Sequence, residues 1–221
     1  MSQVIKIKIC GLKDYALVDY CVTKKIDYVG FIFYKRSPRN ISVEQALLII
    51  NKINDKYKNI DTKFVAVLVN PDEDLVDKLH LNFDYIQFHG NESVSELEYY
   101  KKKYDIKIIK AFSISCKDDL SSYGQYQNFV DYLLFDAQIS GDNKLPGGNG
   151  VAFDWNLLKN RNIGSDWFLS GGLNQENVID AINISGAKFI DVSSGVESLP
   201  GVKDKNLISN FIYIIRKFNN E

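Results

Sequence analysis

Phe168-Leu-Ser-Gly-Gly-Leu-Asn-Gln-Glu-Asn177 and, one short helix further on, Phe189-Ile-Asp-Val-Ser-Ser-Gly195 decide how this chain is read. Each segment is a short apolar run that stops abruptly in small polar residues and glycine. Gly171, Gly172 and Gly195 carry no Cβ, so a ligand can come close to their backbone N–H groups. Ser170, Ser193 and Ser194 add hydroxyls. Two adjacent strand ends of this kind build a pocket suited to a phosphate dianion. In an eight-stranded β/α barrel the phosphate site usually follows strands seven and eight. The reading therefore demands six further strands upstream, each ending in residues that can do chemistry.

Those strands are found. Val4–Ile9 runs into Cys10-Gly11, and Tyr28–Tyr34 is a continuous apolar run. Phe64–Val69 follows, then Tyr85–Phe88 before His89-Gly90, Lys107–Phe112, and Tyr132–Phe135 before Asp136. Trp167–Leu169 and Lys188–Val192 complete the set. Unbroken apolar runs fit strands buried on both faces. Helical segments alternate with them. Asp14, Asn91, Asn174 and Asp204 are expected caps, Ser42 with Gln45 fits a capping box, and Asn70-Pro71 reads as a cap followed by proline at the first helical position. The last helix carries Leu207, Ile208, Phe211, Ile212 and Ile215 on one stripe. The sixth connection is a long glycine-rich loop, 139–150, with a short helix expected from Asp154. Strand alternating with helix throughout implies an α/β protein with a parallel sheet. The expected fold is a (β/α)8 TIM barrel, with an open doubly wound sheet as the rival. No linker or shift in composition divides the chain, so residues 1–221 are expected to form a single domain.

The composition narrows the function. A net charge of −1 over 221 residues argues against a general nucleic-acid or membrane-surface binder. No apolar run approaches the roughly 20 residues of a membrane span. Cys10, Cys21 and Cys116 are odd in number and form no C-x-x-C, the strand signal begins at Val4, and no signal peptide is expected. A reducing, cytoplasmic setting is expected. With only His80 and His89, no metal site is expected.

The strand ends carry the chemistry. Period-two alternation puts Cys10 and Lys8 on the inner face of the first strand, with Cys10 at the open end. A neighbouring cation such as Lys8 would raise its thiolate fraction. A free cysteine is also a common small core residue, and for Cys21 and Cys116 a structural role is expected. Lys8 inside a barrel needs a partner; Asp191, on the neighbouring last strand, is the expected one, with Asp136 across the lumen as the alternative. Asp136 ends an apolar strand and is either a helix cap or an acid; apolar surroundings favour proton donation near neutral pH. Lys35-Arg36-Ser37-Pro38-Arg39 is a basic loop at the same rim, where Arg39 could pair in a bidentate fashion with a substrate carboxylate. Gly147-Gly148-Asn149-Gly150 offers further backbone donors for a phosphate, chiefly at Gly148 and Gly150. His89 could meet a ligand or satisfy a turn; His80 reads as structural.

Taken in order, Lys8-Ile-Cys-Gly11, Gly30-Phe-Ile-Phe-Tyr34 with Ser37-Pro-Arg39, Gln87-Phe-His-Gly90, Leu134-Phe-Asp-Ala137, Gly147-Gly-Asn-Gly150 with Phe153-Asp-Trp155, Ser170-Gly-Gly-Leu-Asn174, and Asp191-Val-Ser-Ser-Gly-Val-Glu197 with Pro200-Gly-Val-Lys-Asp204 resemble the phosphoribosylanthranilate isomerases of tryptophan biosynthesis. The set spans the chain from residue 6 to the last helix. The resemblance implies a cofactor-free Amadori rearrangement of N-(5-phosphoribosyl)anthranilate to 1-(2-carboxyphenylamino)-1-deoxyribulose 5-phosphate. By it, Asp136 matches the general acid that opens the sugar ring and Cys10 the general base that removes the C2 proton. Arg39 matches the holder of the anthranilate carboxylate. His89 and Asp191 are expected to touch substrate, and Gly148, Gly150, Gly171, Gly172, Ser193, Ser194 and Gly195 to hold its phosphate. The expected partner is this phosphosugar alone, bound by a monomer or homodimer.

The chain departs from the family pattern in places. Val151-Ala152 stands where a lysine–threonine pair is common, Lys35-Arg36 where proline–lysine is common, and Asn40 where tyrosine is frequent. Losing a hydroxyl at Ala152 bears on phosphate affinity more than on chemistry. Two other readings compete. One is another phosphopentose isomerase or epimerase on the same barrel; the other is a non-catalytic phosphosugar-binding barrel.

Overall fold

The expected apolar runs form eight parallel strands, and each hydrogen-bonds to the next until β8 returns to β1 and closes a barrel. The computed structural model describes residues 4–138, 147–148 and 150–220. The strands are β1 (Lys6–Cys10), β2 (Tyr28–Phe33), β3 (Lys63–Leu68), β4 (Tyr85–Phe88), β5 (Ile108–Ile114), β6 (Tyr132–Ala137), β7 (Trp167–Leu169) and β8 (Phe189–Val192). The closing register pairs Lys8 with Asp191 and Ile9 with Val192. With β1 bonded on both edges, the open-sheet alternative falls.

Alternation sets the two faces. Ile5, Ile7 and Ile9 point outward into the layer between barrel and helices, where most of the apolar core lies. Cys10, Tyr28, Val65, Val67, Tyr85, Ile109, Ala111, Leu134, Phe168 and Phe189 fill the lumen. Lys6, at the lower end of β1, reaches solvent beside Asp27. One boundary differs in a way that matters. β6 continues past Phe135, because Ser113 and Ile114 of β5 keep pairing with Asp136 and Ala137. Asp136 therefore sits within a strand rather than after it, and its orientation is fixed by the ladder.

The helices are α1 (Tyr15–Thr23), α2 (Val43–Lys56), α3 (Glu73–Leu79), α4 (Val94–Tyr104), α5 (Val178–Ser185) and α6 (Lys205–Asn220). Asp14 caps α1, Ser42 and Gln45 form the reciprocal box on α2, and Asp204 accepts from Asn206 and Leu207 at the start of α6. Three expected caps are corrected, at α3, α4 and α5. Asp72, not Asn70, caps α3, and Ser93, boxed with Glu96, replaces Asn91 on α4. Asn70 instead adopts φ +44° and accepts from the Asn91 N–H, tying one rim loop to the next. Asn174 accepts from Glu176 and Asn177 in a turn just ahead of α5, whose cap position is Asn177. In place of helices, one-turn 3-10 segments follow β5 (Asp118–Ser121, Tyr123–Tyr126) and β6 (Trp155–Leu157, capped by Asp154). A hairpin absent from the sequence reading, β9 (Glu197–Leu199) with β10 (Val202–Lys203), follows β8. Of the loop 139–150, residues 139–146 and Asn149 lie outside the described residues. Among the described residues no helix is long and apolar enough to cross a membrane.

Candidate active site

At the C-terminal mouth of the barrel the strand ends enclose a cleft with about 650 Å³ of free space, part of it open to solvent. Cys10, Arg39, His89, Asp136 and Asp191 all line it, with Gly148, Gly171, Gly172, Ser193 and Ser194. Gly150 and Gly195 stand behind this lining: Gly195 is packed against the backbone of Leu173 and Asn174.

Cys10 is the last residue of β1 and faces the lumen. Its neighbour across the ladder is Gly30, where an added Cβ would lie 2.8 Å from Cys10 Sγ. Glycine there is what gives the thiol its place. Lys8, one inward step below, is fully buried and donates to Asp191 Oδ1 at 3.0 Å, as the alternation predicted. Burial alone would lower the Lys8 pKa, but the Asp191 carboxylate and the adjacent Cys10 outweigh it and hold the ammonium above its usual value. Lys8 is the strongest of the influences that lower the Cys10 pKa, as expected of a neighbouring cation, but it does not overcome burial. Burial dominates and pushes the thiol up, Lys8 and Lys203 pull it down, and Asp191 opposes them.

Asp136 projects into the cleft from β6. Its Oδ1 accepts from the Ala137 N–H at 2.8 Å, and its Oδ2 lies 3.4 Å from His89 Nε2. The Gln87 amide nitrogen donates to His89 Nδ1 at 3.0 Å. With Nδ1 accepting from that amide, a proton on Nε2 faces the carboxylate. Gly147 closes over the pair: a Cβ there would come within 2.5 Å of Asp136 Oδ2 and 3.1 Å of His89 Nε2.

Arg39 differs from its expectation. The basic loop splits, with Lys35 and Arg36 exposed and Arg39 buried at 3 % exposure. The guanidinium is already engaged side-on: Nε reaches Glu197 Oε1 at 2.7 Å, and Nη2 reaches Glu197 Oε2 at 2.8 Å and the Gly148 carbonyl at 2.9 Å. A bidentate grip needs two donor nitrogens, and among the described residues only Nη1 is without a protein acceptor. Glu197 also accepts from Lys203 Nζ at 2.7 Å, and Lys203 donates to the carbonyl and hydroxyl of Ser193 at 2.9 and 3.1 Å. The Ser193 hydroxyl in turn donates to the Cys10 carbonyl at 3.1 Å. Ser193 is therefore occupied in holding the end of β1 that carries Cys10. Although burial opposes its charge, Glu197 is kept below the usual carboxylate range by Arg39 and Lys203, whereas burial brings Lys203 down to about 8. Glu197 and Lys203 are the site residues that motif reading missed as functional. The signal was present: a buried arginine needs an anion, and the turn Pro200-Gly201 folds Lys203 back onto Glu197.

The corner expected to hold a phosphate is made of backbone. Among the described residues, the N–H groups of Gly171 and Gly172 donate to no protein acceptor. Those of Ser194 and Gly195 open a single 3-10 turn and are likewise left over. Outside the site, Cys21 is buried on α1 and pushed up to about 12, Cys116 is exposed, and His80 is bonded to the Asp77 carbonyl. Among the described residues no group of three His, Cys, Asp or Glu side chains could hold a metal ion.

The sequence profile described as N-(5'-phosphoribosyl)anthranilate (PRA) isomerase matches residues 7–213. A relative from Sinorhizobium fredii named N-(5'-phosphoribosyl)anthranilate isomerase is 41 % identical over 213 residues, covering 96 % of this chain and 93 % of its own. One of the same name from Paramagnetospirillum magneticum is 38 % identical, covering 96 % and 97 %. The solved phosphoribosyl anthranilate isomerase of Thermotoga maritima superimposes with a TM-score of 0.83 at 31 % identity, over 97 % of this chain and 100 % of its own. A further solved isomerase, in complex with reduced 1-(o-carboxyphenylamino)-1-deoxyribulose 5-phosphate, gives 0.80 at 30 % identity over the same shares.

Proposed function

The chain belongs to the N-(5'-phosphoribosyl)anthranilate isomerase family of tryptophan biosynthesis, and from that premise we propose that Cys10 and Asp136 are the base and acid of its rearrangement. The single observation that carries the assignment is their meeting in one cleft from β1 and β6, strands on different sides of the lumen. A pentose lying between them is reached by a proton acceptor on one side and a proton donor on the other.

Asp136 gives its proton to the furanose oxygen. The ring opens and the C1–N bond becomes an iminium. Cys10 Sγ then takes the C2 proton, and the electron pair moves into the C1–C2 bond to give an enolamine. Its C2 hydroxyl tautomerises to the ketone as C1 gains a proton, so atoms and charge balance with no external reactant. His89, held by Gln87, offers its Nε2–H to the Asp136 carboxylate once that group has given up its proton, which steadies the ring-opened stage. Arg39 Nη1 meets the anthranilate carboxylate end-on. The free N–H groups of Gly171, Gly172, Ser194 and Gly195 receive the phosphate, with Gly148 and Gly150 completing the corner. Ala152 adds only backbone. A phosphorylated small substrate and unpaired cysteines fit a cytoplasmic location.

Loss of the fluorescence of the anthranilate-type substrate on adding protein, unaffected by EDTA, is the expected assay result. Cys10→Ala and Asp136→Asn should each lower kcat by about 10²–10⁴-fold, with smaller changes in KM. Unchanged turnover in either variant removes its assignment, and EDTA-sensitive turnover favours a metal-dependent pentose isomerase instead.

A further inference from the structure

Along the outer face of β5, Ile108, Phe112 and Ile114 pack into the apolar layer between barrel and helices. Lys110 shares that face by alternation. Its side chain is 3 % exposed and pairs at 2.8 Å with Glu92, in the loop after β4, which is 2 % exposed. Neither side chain lines the cleft. Apolar residues of similar size commonly fill such a place at least as well as a buried ion pair, so packing does not account for the two charges. Their contacts do. Lys110 Nζ donates to the Gly90 carbonyl at 2.7 Å. Glu92 accepts the Gly90 N–H on both oxygens, at 3.1 and 3.0 Å, and the Asn70 N–H at 2.8 Å. The fit is close: a Cβ on Gly90 would lie 2.7 Å from Glu92 Oε1 and nearer still to the Asn70 side chain. Gly90 directly follows His89, whose own N–H donates to the Leu68 carbonyl at 2.8 Å. With the N–H groups of His89 and Gly90 both tied, the two backbone dihedrals of His89 are set, and with them the direction of its Cα–Cβ bond. That direction carries the ring toward Asp136, where Nε2 lies 3.4 Å from Oδ2. A contact this long is at the edge of hydrogen-bond reach, so a small displacement of the ring would lose it.

We propose that Lys110 and Glu92 are positioning residues: a clamp behind β4 that holds Gly90 by both its N–H and its C=O and so sets the His89 ring against Asp136. The part of His89 in turnover rests on the function proposed above; the placing of its ring does not. Lys110→Met/Glu92→Leu tests the clamp, because it exchanges the pair for apolar side chains of similar size and leaves no unpaired buried charge. Lys110→Met/Glu92→Gln is the milder variant, since it returns a side-chain oxygen to the Gly90 N–H.

The chain has two histidines, His80 and His89, so protein labelled with ring-13C histidine gives two sets of ring signals, assigned with His89→Ala. His80, bonded to the Asp77 carbonyl just after α3, is the internal control. In Lys110→Met/Glu92→Leu the His89 signals should shift or split while those of His80 stay in place. Its kcat should fall about 10- to 100-fold, the scale of a misplacement near 1 Å, with a smaller change in KM. Lys110→Met/Glu92→Gln should recover part of both readouts. Added to His89→Ala, the Met/Leu pair should lower kcat little further, because the clamp acts through the ring. Unmoved His89 signals, His80 signals that move with them, or a loss of kcat that adds in full to that of His89→Ala overturn the proposal. Wild-type turnover in His89→Ala instead removes the catalytic reading of His89, and the ring signals then decide the clamp alone. Should neither double variant fold, amide exchange in the wild type decides: the Gly90 N–H should exchange as slowly as the amides of β4, and exchange at the rate of an exposed loop overturns the clamp.

Discussion

At the floor of the barrel Tyr28, Tyr85, Tyr132, Phe168 and Phe189 pack against one another with ring centroids 5.1–6.4 Å apart, mostly edge to face. At the mouth the same inward faces carry Cys10, His89, Asp136 and Asp191. One alternation rule builds both ends. The floor needs little beyond apolar contact; its hydroxyls meet as Tyr28 and Tyr132 do, at 3.2 Å. The mouth must match buried charges, and it does so with Lys8–Asp191 and with Arg39 and Lys203 on Glu197. Stability is therefore expected to reside at the closed end and chemistry at the open one.

That division can be broken by substitution. Phe168→Ala removes a fully buried ring from the floor and should cost about 3–5 kcal/mol in urea unfolding, while kcat per folded molecule stays within about threefold. A large loss of kcat with little loss of stability would erase the distinction. Gly30→Ala sharpens it from the other side. The new methyl would stand 2.8 Å from Cys10 Sγ, so either the thiol or β2 must shift. Overpacking of this kind costs about 1–3 kcal/mol, and kcat should fall more than the melt reveals, because the displaced group is the proposed base. Lys102→Ala is the small case. Its bridge to Glu98 on α4 is exposed, at 75 % and 40 %, and neither the urea midpoint nor turnover should move measurably.

Much of the floor and half of the mouth were legible in the chain. Short apolar or alternating runs gave every strand to within about two residues, and alternation together with closure of β8 on β1 foretold the meeting of Lys8 with Asp191. Cap residues were harder. Asn70 and Asn91 have the right chemistry, but Asp72 and Ser93 stand nearer the first helical turn and accept its N–H groups. Partners distant in sequence were hidden altogether: Arg39 and Glu197 are 158 residues apart, and no local pattern says that one side of the arginine fork is already engaged. His89 reads as a rim residue from its position; that it faces Asp136, with its proton placed by Gln87, depends on three-dimensional geometry.

The central claim is that one sugar lies between the β1 thiol and the β6 carboxyl, and a crystal structure with the reduced product analogue bound tests it most directly. The account predicts Cys10 Sγ beside C2 on one face of the pentose chain, Asp136 on the other, and the phosphate against residues 171–172 and 194–195. Both side chains on the same face, or a phosphate seated elsewhere on the rim, would contradict it.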